Sequence, residues 1–180
     1  MTNAVVIGLE VNQSVIRLIK GDITDLDVDA FVFYAEPDLA LGSGFGGAIA
    51  VRGGASIQKE LEQLAPVALG EAVVSAAGNL KAQYIIHAVG PKFQEEDTEG
   101  KLRTTVLNSL RRAEQIGVER LAFPAMGAGY YGIAPALCAR VMLDVIRSHL
   151  EGATCIREVV ICVLDTPQHN AFKAQLENTP

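Results

Sequence analysis

The chain has no tryptophan and only three cysteines, Cys138, Cys155 and Cys162. None stands in a C-x-x-C or other ligand-like spacing, so neither a metal site nor a redox pair is expected. An odd number of unpatterned thiols reads as reduced cysteine, which points to a cytoplasmic protein. Cys162 falls inside an apolar strand pattern and is expected in the core. No apolar run reaches membrane-spanning length. The first seven residues lack a basic region and a long apolar stretch, so no signal peptide is expected. A basic surface is missing too: the net charge is −6, which disfavours binding to a nucleic-acid backbone. There is no G-x-x-x-x-G-K-[ST], and no lysine lies in either glycine-rich stretch, which excludes a Walker-type NTPase. Ser43 has no evident His and Asp partners, so a serine nucleophile is not expected. Internal repeats, linkers and low-complexity segments are also absent.

What is present is glycine in two places. Leu41-Gly42-Ser43-Gly44-Phe45-Gly46-Gly47-Ala48-Ile49-Ala50 runs into a helical pattern. Lacking a Cβ, glycine lets backbone N–H groups approach an anion. The helix that follows adds unpaired N–H groups and the positive end of its dipole, which suits a phosphate or pyrophosphate. A second stretch, Ala125-Met126-Gly127-Ala128-Gly129-Tyr130-Tyr131-Gly132, also stands between a strand and a helix. We read the two as opposite walls of one cleft. Gly42-x-Gly44-x-x-Gly47 matches a dinucleotide fingerprint only in isolation, and not in the first βα turn, which argues against a Rossmann domain.

The rest of the chain alternates. Strands are expected at 4–8, 14–20, 29–35, 70–76, 83–89, 119–125 and 157–164 from β-branched and apolar patterning. Helices are expected at about 46–64, 101–116, 135–150 and 167–177, with a break at Gly53-Gly54, Pro135 in the first turn of the third and Asp165 capping the last. The acidic 94–100 segment is expected to be an exposed loop. With 180 residues and 49% hydrophobic composition, this predicts one domain over 1–180, a three-layer α/β/α fold on a mixed, mainly parallel sheet. Ligands of such sheets sit beyond the carboxyl ends of the strands, and both glycine loops and Gly21-Asp22-Ile23 follow strands. His87 lies in an apolar strand and reads as a core histidine, whereas His149 and His169 read as surface residues. Tyr130 and Tyr131, flanked by glycines at a loop tip, favour ligand contact over packing.

The ordered set Gly21-Asp22-Ile23-Thr24, Val28-Asp29-Ala30, the loop running into Gly47-Ala48-Ile49, His87-Ala88-Val89-Gly90-Pro91 and Phe123-Pro124-Ala125-x-x-Ala128-Gly129-x-Tyr131-Gly132 resembles the macro domain, over nearly the whole chain. Macro domains bind ADP-ribose, and some hydrolyse its derivatives. The resemblance implies that Asp22 accepts from the adenine amino group and that the Ile23 backbone reads the same edge. It implies that Gly42, Ser43, Gly44, Phe45 and Gly46 on one side hold the pyrophosphate, with Gly127, Ala128, Gly129, Tyr130 and Tyr131 on the other. Tyr131 would pack near the distal ribose. Chemistry agrees where it can speak: a carboxylate only accepts, and paired N–H nests suit a pyrophosphate.

The departures bear on activity. Hydrolytic members often carry Asn-Ala-Ala-Asn where this chain has Phe33-Tyr34-Ala35-Glu36, so Glu36 replaces the asparagine of the distal ribose. Gly46 stands where an aspartate would position the catalytic water. The region where some members stack an aromatic residue on adenine reads Val163-Leu164-Asp165, leaving Leu164 for that contact. The expected function is binding of ADP-ribose, or of a protein or metabolite carrying it, with weak or no hydrolysis and no cofactor, by a monomer. One alternative is an ADP-ribosyl hydrolase or O-acetyl-ADP-ribose deacetylase with Glu36 as base. Another is an interaction module whose cleft is narrowed by Phe33, Tyr34 and Phe45.

Overall fold

The computed structural model describes residues 7–178. Strands β1 (Ile7–Val11) and β2 (Ser14–Lys20) form a hairpin turned at Asn12, which takes φ 53°; asparagine tolerates that left-handed turn position. Then come β3 (Ala30–Ala35), α1 (Gly44–Gly53), α2 (Ala55–Leu64), β4 (Ala72–Ala76), β5 (Tyr84–Val89), α3 (Thr98–Gln115), β6 (Arg120–Phe123), α4 (Pro135–Glu151), β7 (Glu158–Val163) and α5 (Thr166–Glu177). The strands make one sheet in the order β1-β2-β7-β6-β3-β5-β4. The inner pairings β2/β7, β7/β6, β6/β3 and β3/β5 are parallel, and the two edge pairings are antiparallel.

All six residues of β3 are buried, because helices cover both faces of the sheet. Ala30, Val32 and Tyr34 face the cluster built by α3, α4 and α5. Phe31, Phe33 and Ala35 face the one built by α1 and α2. This two-residue alternation is what a central parallel strand requires. The three-layer α/β/α reading of the sequence therefore holds. No helix among the described residues is long and apolar enough to cross a membrane.

Four local expectations need correction. The strand expected at 4–8 continues past residue 8 to Val11; its expected start at 4–6 lies outside the described residues. The helix expected at 46–64 starts earlier, at Gly44; the break expected at Gly53-Gly54 is there, where Gly54 takes φ 93° and separates two helices. The 94–100 segment is only partly a loop. Asp97 accepts from the Gly100 N–H at 3.3 Å and caps α3, and Glu99 pairs with Arg103 at 3.3 Å and Arg140 at 2.8 Å. The acidic run is thus an N-terminal helix signal.

The fourth concerns His149, which is half-buried rather than a surface residue. Its Nε2 lies 3.0 Å from Glu114 Oε1. Glu114 also accepts from the Thr154 hydroxyl, the Cys155 N–H at 3.1 Å and the Cys155 thiol at 2.9 Å. Burial opposes the charge on Glu114, but these hydrogen bonds outweigh it and hold the carboxyl at about 2. His87 is fully buried with Ser75 Oγ 2.8 Å from its Nε2, and burial pushes it down to about 4. Both folded values lie below their ordinary ones. The stabilisation is therefore complete above about 6.5 and is lost as pH falls, first through His87 toward about 4, then through Glu114 between about 4.5 and 2. Chemical denaturation at stepped pH should show that two-stage loss. Glu114→Gln should remove the lower stage and cost about 1–3 kcal/mol at neutral pH.

Candidate functional site

The parallel strands end on one edge of the sheet, and a cleft of about 420 Å³ opens there. One wall is the loop before α1. Gly42 and Gly44 have φ of 64° and 61°, a region glycine enters without strain. Ser43 makes no side-chain cap hydrogen bond, and the first turn of α1 holds no acidic residue. The first-turn N–H groups, which have no partner within the helix, and the dipole's positive end face the cleft without compensation. The other wall is the loop after β6, where Gly127 and Gly129 have φ of 82° and 74°. A Cβ on Gly127 would lie 2.4 Å from Ile133 Cδ1 and 3.3 Å from the Tyr34 hydroxyl.

Glycine at position 46 has a different cause. A Cβ there would lie 1.7 Å from the Leu41 carbonyl oxygen and 2.6 Å from its carbon. Backbone fills the place a side chain would take, so this loop conformation admits no aspartate. Phe45 packs edge-on against Phe33, with ring centroids 5.0 Å apart, and tilts against Phe31 at 6.1 Å. The volume that remains falls within the range of roughly 300–1,000 Å³ usual for small-molecule sites.

At one end of the cleft Tyr34 and Tyr131 stack at a tilt, with centroids 4.7 Å apart. The Tyr34 hydroxyl donates to the Pro91 carbonyl. The Tyr131 hydroxyl donates to Glu36 Oε1 at 3.0 Å, and Lys92 Nζ lies 3.6 Å from Glu36 Oε2. Burial first, then the Glu36 hydrogen bond and charge, push the Tyr131 hydroxyl above its ordinary range, so it stays a donor. Glu36 is the one carboxylate among the described residues lining the cleft, and no lysine or arginine lines it.

The opposite end lies by Leu164, which is 70% exposed, and Cys162, which is buried in the core as expected. The structure brings Glu36, Gly42 to Gly46, Gly127 to Tyr131 and Leu164 together around one cleft. Asp22 and Ile23 are not part of that lining. Asp22 caps a 3-10 turn at Ile23–Asp25: its Oδ1 accepts from the Thr24 N–H at 2.9 Å and hydroxyl at 2.6 Å, and its Oδ2 pairs with Arg52 at 2.7 Å. The Thr24 hydroxyl above all, with Arg52 adding to it, holds Asp22 below the usual carboxylate range. Gly21 N–H bonds to the Val163 carbonyl at 3.0 Å, which sets this turn beside Leu164. Cys162 reports the same proximity: burial and then the Asp22 charge push its thiol up to about 11.

Sequence reasoning missed Ala40, Pro124, Cys162 and Gln168 as lining residues. Gln168 is buried, and its Oε1 accepts from the Leu164 N–H at 3.2 Å; nothing in the local sequence marks it. Cys162 could have been found by strand alternation, since it shares the α1/α2 face with Phe31 and Phe33.

The macro domain family model matches residues 34–142. A protein of Saccharolobus solfataricus is 39% identical over 163 residues, which cover 88% of this chain and 90% of that one. A macro domain-containing protein of Caldanaerobacter subterraneus is 38% identical over 168 residues, covering 90% and 95%. The chain belongs to the macro domain family. Among solved structures, the macrodomain of Oceanobacillus iheyensis superimposes with a TM-score of 0.91 at 22% identity, covering 96% of this chain and 95% of that one. The macrodomain of Trypanosoma brucei, solved in complex with ADP-ribose, superimposes with a TM-score of 0.83 at 25% identity, covering 88% and 68%. The macro-domain sheet and its helical layers are thus preserved at low identity.

Proposed function

We propose that this macro domain binds ADP-ribose, free or carried on a protein or metabolite, and hydrolyses it weakly or not at all. The observation that carries the reading is the cleft itself: two positive-φ glycine pairs, an uncapped helix start, and a single carboxylate far from the adenine end. The Trypanosoma brucei relative holds ADP-ribose, which supports the same ligand class here. The pyrophosphate is assigned to the N–H groups of Gly44 to Gly46 and of Gly127 to Tyr130. The distal ribose is assigned to the Glu36–Tyr131 end and the adenine to the Asp22–Leu164 end. Weak hydrolysis follows from two features. Gly46 offers no group to orient a water, and the Glu36 oxygens are already engaged, one by the Tyr131 hydroxyl and the other by Lys92.

The adenine assignment has its own test. A carboxylate offers about four lone-pair sites; three are used by Thr24 and Arg52, leaving one for the 6-amino group. Asp22→Ala should weaken ADP-ribose binding by about 1–3 kcal/mol in calorimetric titration. It should also abolish the preference for ADP-ribose over its inosine analogue, whose ring offers an acceptor there. An undiminished preference would remove Asp22 from the site.

Glu36 supports the competing reading, a hydrolase, because it is the cleft's one carboxylate. Glu36→Gln separates the two. If release of ADP-ribose from a modified protein is measurable and this substitution ends it while binding survives, the enzyme reading replaces ours.

A further inference from the structure

We propose that the mouth of the cleft beside Tyr131 is a docking surface for the polypeptide that carries the ADP-ribose, and that it selects a basic segment. The proposal rests on the assignment of the distal ribose to the Glu36–Tyr131 end, since the attached chain leaves from there.

Two large aromatic side chains stand in solvent at that mouth. Tyr130 is 91% exposed and Phe93 60% exposed. They are held on one platform. The Tyr130 ring meets Tyr131 edge-on at 5.2 Å, the Phe93 N–H donates to the Tyr131 carbonyl at 2.9 Å, and Gly132 lies so close that a Cβ there would be 3.0 Å from Phe93 Cβ. Neither ring completes the core. Exposed aromatics next to a ligand mouth are the usual anchors of a partner chain. Tyr130 also lines the cleft, so the platform is continuous with the site.

The charge around it has one sign. Glu36, Asp38 and Glu95 all act electrostatically on the Tyr34 or Tyr131 hydroxyls, and Glu96 is exposed immediately beyond. Against these stand Lys92, near Glu36, and Lys101, 3.7 Å from Glu95. The surplus is negative, as is the whole chain at −6. A segment rich in lysine or arginine is therefore attracted, its stems and guanidinium groups packing on the two rings. An acidic segment is repelled.

The test uses four probes in calorimetric titration: free ADP-ribose, the same group joined through its distal ribose by a hydrolysis-resistant link to a short lysine-rich peptide, its glutamate-rich counterpart, and the unmodified lysine-rich peptide. The lysine-rich conjugate should bind about tenfold tighter than free ADP-ribose, the scale of one good aromatic contact, and tighter than the glutamate-rich one. Phe93→Ser should remove that gain and leave free ADP-ribose unchanged. Glu96→Lys should narrow or invert the preference between the two conjugates. Equal affinity for free ADP-ribose and both conjugates would overturn the docking surface while leaving ADP-ribose binding intact. A conjugate gain that ignores peptide charge would overturn the basic selection. If free ADP-ribose fails to bind, the function reading falls; the docking surface then stands only if the unmodified lysine-rich peptide binds and Phe93→Ser weakens it.

Discussion

A Gly44→Val variant folds and no longer binds ADP-ribose. Gly44 has φ 61°, and beyond its chain neighbours and its own helix backbone a Cβ there meets no atom within 4 Å. The added Cβ therefore enters the open space along the cleft that Gly44 lines. Forcing a β-branched residue into the left-handed region costs about 1–3 kcal/mol, which a domain with a core on each face of its sheet withstands. Binding suffers far more. The side chain holds the pyrophosphate away from the first-turn N–H groups, and losing two charge-assisted hydrogen bonds predicts a fall of roughly a hundredfold or more. Circular dichroism alongside titration separates the two effects. Wild-type affinity in this variant would remove the loop from the ligand's path.

Gly46→Asp, which supplies the aspartate that the macro-domain resemblance leads one to expect at this place, should destabilise the protein and create no hydrolase. The new Cβ would sit 1.7 Å from the Leu41 carbonyl oxygen, and that obstacle is backbone, not a flexible side-chain end. The loop between Leu41 and α1 must rebuild, at about 3 kcal/mol or more. For a chain of this size that lowers the melting temperature by ~6–12 °C. The rebuilt loop also misplaces its N–H groups, so ADP-ribose binding should fall. A stable variant that releases ADP-ribose from modified proteins would show that the loop has a second conformation and would return the hydrolase reading to first place.

The contrast between these two glycines shows how much the sequence could say. That the stretches holding Gly44 and Gly127 face one cleft was legible from glycine placed between a strand and a helix. The reason for Gly46 was not, because it depends on a carbonyl five residues earlier that only the folded loop brings near. The layers were legible because β3 is apolar at every position, and such a strand must be covered on both faces. The start of α3 was misread because 94–100 looked like a solvated acidic run, while its acids cap the helix and pair with Arg103 and Arg140. His149 looked exposed because its partners, Glu114 and the Thr154-Cys155 turn, are remote in sequence. At the site, the two loops and Glu36 converge as their order suggested. The engagement of Asp22 by Arg52, from the helix the glycine loop opens, carried no local signal.

The most direct measurement is calorimetric titration of the wild-type protein with ADP-ribose, ADP and AMP. The account predicts saturable binding in the order ADP-ribose, then ADP, then AMP, because each step removes contacts from the Glu36–Tyr131 end or the glycine walls. No heat with any of the three would contradict it, leaving a macro domain whose cleft serves another ligand.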